Sequence, residues 1–220
     1  MQSMVAILGS GLNGSIDTAF GTMLAEALLV VGLLLLVVLA LATGMRQGEL
    51  LALHWDDVDL DRRALSVRWN LRYRHRAFTF KEPKTKRSRR RIALAPQTVD
   101  ALRAHRKRQL AERLQAGEVW SGEQWDDLVF ATALGGPLSF NGEMRSTFHR
   151  ILRRGALPSV RFHDLRHICA TLALASNVNP KVVSEMLGHS TVAITLDIYS
   201  HVLPDMQEDA AAAVAVSLYR

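Results

Sequence analysis

"ALLVVGLLLLVVLALATGMRQGEL", residues 27–50, decides the fold, because two incompatible structures can be written from it. Nineteen residues pass without a charge before Arg46, and about 20 apolar residues are enough to cross a bilayer. Hydropathy alone therefore supports a span. Other features argue against it. No positive n-region and no small-residue cleavage site precede the run, so it is a poor signal peptide. A single arginine closely follows it. The pattern "LALATGMRQGELLALHW" also continues past the run as an amphipathic helix, with Leu50, Leu51 and Leu53 apolar. Upstream, Gly9, Gly11 and Gly14 have the G-x-G-x-x-G spacing of a dinucleotide turn. That motif needs a second strand ending in an acid about 20 residues on, yet no Asp or Glu lies between Glu26 and Glu49. A loose N-terminal turn region is expected there instead.

A chain of 220 residues suits one domain with a short appendage. Its 27 Lys+Arg against 21 Asp+Glu give a net charge of +6, which favours a polyanionic partner such as nucleic acid. The distribution says more than the sum. Residues 1–45 hold no Lys or Arg, whereas seven of the eleven residues in "KEPKTKRSRRR" (81–91) are basic, and "RAHRKRQLAER" (103–113) adds five. A single run of this kind is as often a solvated face; two in one basic chain favour phosphate contact. Cys169 is the only cysteine, so no disulfide framework exists and a cytoplasmic location is expected.

Downstream, "HWDDVDLDRRALSVRWNLRY" combines turn-forming aspartates with the alternation Leu65, Val67, Trp69, Leu71, which reads as one strand. "RAFTFKEPK" and "RRRIALA" read as two more. The expectation is a small antiparallel three-stranded sheet with "KEPKTKRSR" at or beside a turn. Pro96 and Thr98 open a helix to about Gln115. "FNGEMRSTFHRILRRGAL" reads as another, and residues 160–202 as three more, broken at Asn177–Pro180 and at Gly188-His189-Ser190. The tail "PDMQEDAAAAVAVSL" is a short helix candidate. The fold class is mainly α with that small sheet, an α+β domain.

Two constellations carry chemistry. In "FHDLRH" (162–167), His163 and Arg166 share a helical face, with His167 at i+4. The two histidines have zinc-pair spacing, but the glutamate of H-E-x-x-H is missing and no third ligand is fixed. A histidine and an arginine on one face suit an anionic substrate better: the guanidinium binds two phosphate oxygens while the imidazole handles a proton. In "LGHSTVAITLDIYSHV", Gly188 ends a helix, His189 sits in the break and Tyr199 follows ten residues on. A phenol has a pKa near 10, and surrounding cations would favour its phenolate.

"ATGMRQGELLALHWDDVDL", "PKTKRSRR", "HDLRH", "LGHS" and "TLDIYSHV", in this order, resemble the catalytic domain of the tyrosine recombinases, the phage integrase family. The likeness runs from about Leu34 to Leu203. It implies the fold of those DNA breaking-rejoining enzymes and a set of roles. Arg46 and Arg166 are implied to clamp the scissile phosphate, His189 to donate to it, and Tyr199 to attack phosphorus. His163 is implied to accept the tyrosine proton and Lys84 to protonate the leaving 5′ oxygen. Lys81, Lys86, Arg87, Arg89 and Arg90 are expected to hold backbone phosphates. Side-chain cations supply the charge, so no cofactor or metal is called for. The partner implied is double-stranded DNA, bound as a homotetramer during recombination, with room for accessory DNA-bending proteins. Glu49, three residues after Arg46, is expected to orient that arginine.

The resemblance also sets a domain plan. Residues 1–33 are a Gly-rich and apolar segment unlike the family, 34–203 the catalytic domain, and 204–220 a tail helix. Some 33 residues are too few for the family's N-terminal core-binding domain, which is expected to be missing from this chain. The leading expectation is a site-specific DNA recombinase. The alternatives are a truncated integrase remnant that binds DNA without recombining it and a membrane-anchored DNA-binding protein. A span would remove from the core the helix that leads to Arg46, so residues 34–45 are read as a buried helix and no membrane role is expected.

Overall fold

The computed structural model describes residues 16–82, 88–199, 212, 214–216 and 218, with the side chains of 16–28, 123, 198 and 199 outside that description. The glycine-rich turn at Gly9–Gly14, the residues Lys84, Lys86 and Arg87, and most of the expected tail helix lie outside the described residues.

The apolar run is a helix. Leucine-rich and free of proline, it forms α1 over Ile16–Thr43. Leu33, Leu36, Leu39, Ala40 and Thr43 are buried at helical spacing, whereas Val31, Leu34 and Val38 are exposed. Among the described residues no helix is long and apolar enough to cross a membrane. Gly44 ends α1 with φ +61°. A β-carbon there would collide with the side chain of Leu187 and approach the Cys169 sulfur to 3.3 Å, so only glycine lets the chain turn toward Arg46.

The chain divides into two compact units, one of residues through Leu36 with Ser139–Ser159, the other of Val37–Leu138 with Val160 onward. The first contains the start of α1 and α4 (Glu143–Arg154). Met144, Thr147, Phe148 and Leu152 form the buried stripe of α4, and the rings of Phe140 and Phe148 meet edge-on at 5.9 Å.

The second unit holds the remaining elements. After α1 come α2 (Gln47–Leu51), β1 (Val58–Asp59), β2 (Ala64–Val67), β3 (Asn70–Arg74), β4 (Ala77–Lys81) and β5 (Arg90–Ala93). Helices α3 (Pro96–Ala116), α5 (Asp164–Ala175), α6 (Pro180–Leu187) and α7 (Val192–Tyr199) follow. The three-stranded antiparallel sheet is present with order β1-β2-β5, but it is composed differently from the expectation. The stretch 65–71 is two strands, not one. β2 ends at Val67 and pairs with β5, with Leu65 opposite Ile92, while β3 pairs with β4 as a separate hairpin. At the break, Arg68 reaches back to Asp57 at 3.0 Å.

Local chemistry sets the helix ends. Pro96 and Pro180 start α3 and α6, and the Asn179 side-chain Oδ1 accepts the Lys181 backbone N–H at 2.9 Å. Gly188 closes α6 in the left-handed region, φ +68°. Ala170, Leu174, Val183 and Leu187 form an apolar cluster between α5 and α6. That cluster fixes where α6 ends, and so where His189 begins.

Candidate active site

Arg46 sits at the N-cap of α2. Its backbone N–H donates to Glu49 Oε2 at 2.9 Å and its Nη1 to Oε1, also at 2.9 Å. The arginine side chain is 40 % exposed and the glutamate 4 %, so Glu49 holds the arginine from beneath and leaves its guanidinium open to solvent. Glu49 also takes Arg90 Nη2 at 2.8 Å. Burial raises the pKa of this carboxyl. The hydrogen bond and charge of Arg90, with those of Arg46, outweigh burial and hold it below the ordinary value.

Two arginines converge on the end of α6. Arg90 Nε donates to the Met186 carbonyl at 2.6 Å. Arg166, buried, donates from Nη1 to the Gly44 carbonyl and from Nη2 to the Leu187 carbonyl, each at 2.7 Å. Arg166 therefore ties the turn before Arg46 to the turn before His189. Each tie is a charge-assisted bond to a carbonyl at a helix C-terminus, where positive charge is favoured.

The two histidines are electrostatically alike. Partial burial, then the charges of Arg166, Arg46, Arg90 and His167, push His189 down to about 4. His163 is lowered by burial and by His167, Arg166 and Arg46, with Asp164 opposing. Both imidazoles are therefore neutral near pH 7. His189 Nδ1 shares a 2.8 Å hydrogen bond with Thr195 Oγ1 on α7; when the threonine hydroxyl donates, the ring keeps its proton on Nε2. His163 meets His167 edge-on at 5.4 Å. The zinc-pair reading gains no third ligand: among the described residues no three His, Cys, Asp or Glu are grouped to hold a metal.

The fold thus brings Arg46, His163, Arg166 and His189 under one another's fields. Tyr199 is the last residue of α7, the helix that begins three residues after His189; its side chain, like the whole of Lys84, is outside the described residues. Lys81 is exposed at the end of β4 and Arg89 pairs with Glu82. Arg90 differs from the backbone-phosphate role expected of it: its side chain is 6 % exposed and committed to Glu49 and Met186. Arg90 as an inner strut and Thr195 as the partner of His189 are the two features the sequence reading missed. Strand alternation pointed to the first, since Arg90 shares the inward face of β5 with buried Ile92.

Three guanidiniums around two neutral imidazoles make a centre for an anion, with one buried carboxylate to hold the cations in place. The chain belongs to the phage integrase family, which it matches over residues 23–206. It is 37 % identical over 188 residues to a tyrosine recombinase XerC-like protein of Caldanaerobacter subterraneus, covering 80 % of this chain and 47 % of that protein. It is 28 % identical over 176 residues to the ICEBs1 integrase of Bacillus subtilis, covering 78 % and 45 %. The chain thus spans about half the length of the curated relatives it matches. Its fold is that of the Tn1549 transposon integrase, seen in complex with circular intermediate DNA, at TM-score 0.65 and 21 % identity over 97 % of this chain and 64 % of the other. The XerA recombinase superposes at TM-score 0.57 and 25 % identity, over 84 % and 62 %.

Proposed function

We propose that this chain is the catalytic part of a site-specific DNA recombinase, cleaving and rejoining double-stranded DNA through a 3′-phosphotyrosyl intermediate. The observation that carries the reading is the convergence of Arg46, Arg166, His163 and His189, both histidines being lowered by burial and also by the charges of the two arginines. Such a field stabilises a phosphodiester and the additional charge of its pentacoordinate transition state.

Each residue takes a role its environment permits. Arg46, exposed and braced by Glu49, binds non-bridging oxygens. Arg166 supplies charge from the interior while it fixes the two flanking turns. Neutral His189 donates one N–H to the phosphate. His163, also neutral, accepts the Tyr199 proton as the phenol oxygen bonds to phosphorus. The bond from phosphorus to the 5′ oxygen breaks, and Lys84 gives that oxygen its proton. A 5′-hydroxyl of another strand then attacks the phosphotyrosine in reverse, so strands exchange without an external energy source. Residues 34–203 form the catalytic domain in this reading, with 204–220 as its tail; the DNA-bound form is a tetramer, and the compartment is the cytoplasm.

Nicked suicide duplexes drawn from the flanks of the gene test the proposal. A covalent protein–DNA adduct that disappears in Tyr199→Phe is the expected result. Binding without adduct on any flank would favour the DNA-binding remnant, and neither binding nor adduct would sink both readings.

A further inference from the structure

Among the described residues the β3–β4 hairpin pairs with no other strand, and its register sorts its side chains cleanly. Leu71 lies opposite Phe80 and Tyr73 opposite Phe78, while Asn70, Arg72 and Arg74 oppose Lys81, Thr79 and Ala77. Opposed residues share a face and successive residues alternate, so the hairpin has one aromatic and one basic side. The aromatic side seats it. Leu71 is buried, Phe80 meets His54 at 5.5 Å and Trp125 at 6.3 Å, and Tyr73 meets Phe78 at 4.8 Å. Its root adjoins Arg46: a β-carbon on Gly48 would lie 2.8 Å from the Leu71 carbonyl oxygen. From there residues 72–77 are exposed.

Among the described residues the basic side has no counter-charge. Several exposed arginines elsewhere in this unit are paired, Arg62 and Arg91 with Asp59, Arg68 with Asp57, Arg103 with Asp61 and Arg161 with Asp164. Among the described residues no carboxylate lies within ion-pair distance of Arg72, Arg74, Arg76 or Lys81. The turn adds a second, independent sign. His75 and Arg76 have φ of 50° and 61°, the left-handed pair that a two-residue hairpin turn demands and that Asn-Gly satisfies with least strain. Long cationic chemistry occupies positions where the backbone favours the smallest residues. Strain kept at a solvent-exposed tip points to a use for those side chains.

We propose that the β3–β4 hairpin is a phosphate-gripping arm, with Arg72, Arg74 and Lys81 on its face and Arg76 at its tip binding the backbone of duplex DNA beyond the Arg46–Arg166–His189 centre. The inference rests on the reading of the chain as a DNA enzyme. Arg72 and Arg74 stand about 7 Å apart along the strand, a spacing that lets the two contact separate phosphates of one DNA strand.

Two variants test the arm by fluorescence anisotropy with a fluorescein-labelled 30-base-pair duplex over a series of KCl concentrations. Arg72→Gln/Arg74→Gln/Arg76→Gln removes charge. His75→Asn/Arg76→Gly installs the preferred turn residues while removing the tip. Each phosphate contact contributes about 0.9 to the slope of log affinity against log salt, so the triple variant is expected to lose roughly two to three units of slope. The turn variant is expected to lose about one, yet to melt at the same temperature as the parent or higher. Loss of affinity with improved turn chemistry separates DNA contact from folding. Unchanged slopes in variants of a parent that binds DNA would overturn the arm and leave the enzyme reading intact. A parent that binds no duplex would overturn the enzyme reading itself. Unchanged slopes with lost self-association in sedimentation would assign the cations to carboxylates of a second copy, and so also overturn the arm.

Discussion

Glu49 is a buried carboxylate between two arginines, and its behaviour follows from which of them remains. In the intact chain its pKa is depressed. Its contribution to stability is therefore full above the ordinary value of 4.5 and is lost as pH falls through the lower folded value. In Arg90→Met the partner whose hydrogen bond and charge lead the downward pull is gone, and burial drives the carboxyl above its ordinary value. The sign then reverses, and the variant loses stability as pH rises through that raised value. Thermal melts between about pH 3 and 8 should show the parent losing stability toward acid below 4.5 and the variant losing it as pH rises, with a loss of about 3–5 kcal/mol at neutral pH, the cost of stranding one member of a buried pair. Parallel slopes would mean that Arg90 does not govern Glu49. Glu49→Gln keeps the shape and removes the charge, and is expected to slow covalent adduct formation more than it weakens DNA binding; unchanged cleavage would remove Glu49 as the residue that orients Arg46. The sequence named Glu49 because i,i+3 spacing on one helix is local information. Arg90 stands among three consecutive arginines that look alike in one dimension, and only the pairing of β5 with β2 turns that one inward.

The same contrast runs through the elements. Helices α3 and α6 were legible because each carries its own punctuation, proline at the start and glycine at the end. The strand at 65–71 was read as continuous because its alternation is unbroken and no glycine or proline interrupts it; its division depends on two different partners, β5 and β4, which lie further along the chain. The burial of α1 was legible only in part, since a run apolar on every side cannot say which side turns inward. The turn after α1 is the element most exposed to a single change. Gly44→Ala places a β-carbon against Leu187 at a positive φ, and the Gly44 carbonyl that Arg166 holds must move with it. A loss of about 1–3 kcal/mol is expected from the backbone strain, read by chemical denaturation, together with slower adduct formation. A variant as stable and as active as the parent would show that the turn is not what fixes Arg166.

At the scale of the whole molecule, the net charge of +6 understates the field at the centre, where the cations are concentrated and the histidines respond to it. His189 is neutral above about pH 4 in the free chain because burial and the charges of Arg166, Arg46, Arg90 and His167 all disfavour its protonation. A phosphodiester placed among those cations supplies the missing negative charge and raises the imidazole toward its ordinary value. Between the two values the complex then holds a proton that the free chain does not, so DNA affinity must rise as pH falls through that window. His163 faces the same cations and is lowered too, so the assignment needs a variant. His189→Gln keeps a hydrogen-bond donor and cannot titrate. Binding of a duplex at constant ionic strength from pH 5 to 7 should strengthen toward acid in the parent, and this dependence should be reduced in His189→Gln while Tyr199→Phe retains it. Equal pH dependence in parent and His189→Gln would place the proton uptake elsewhere and separate His189 from the phosphate.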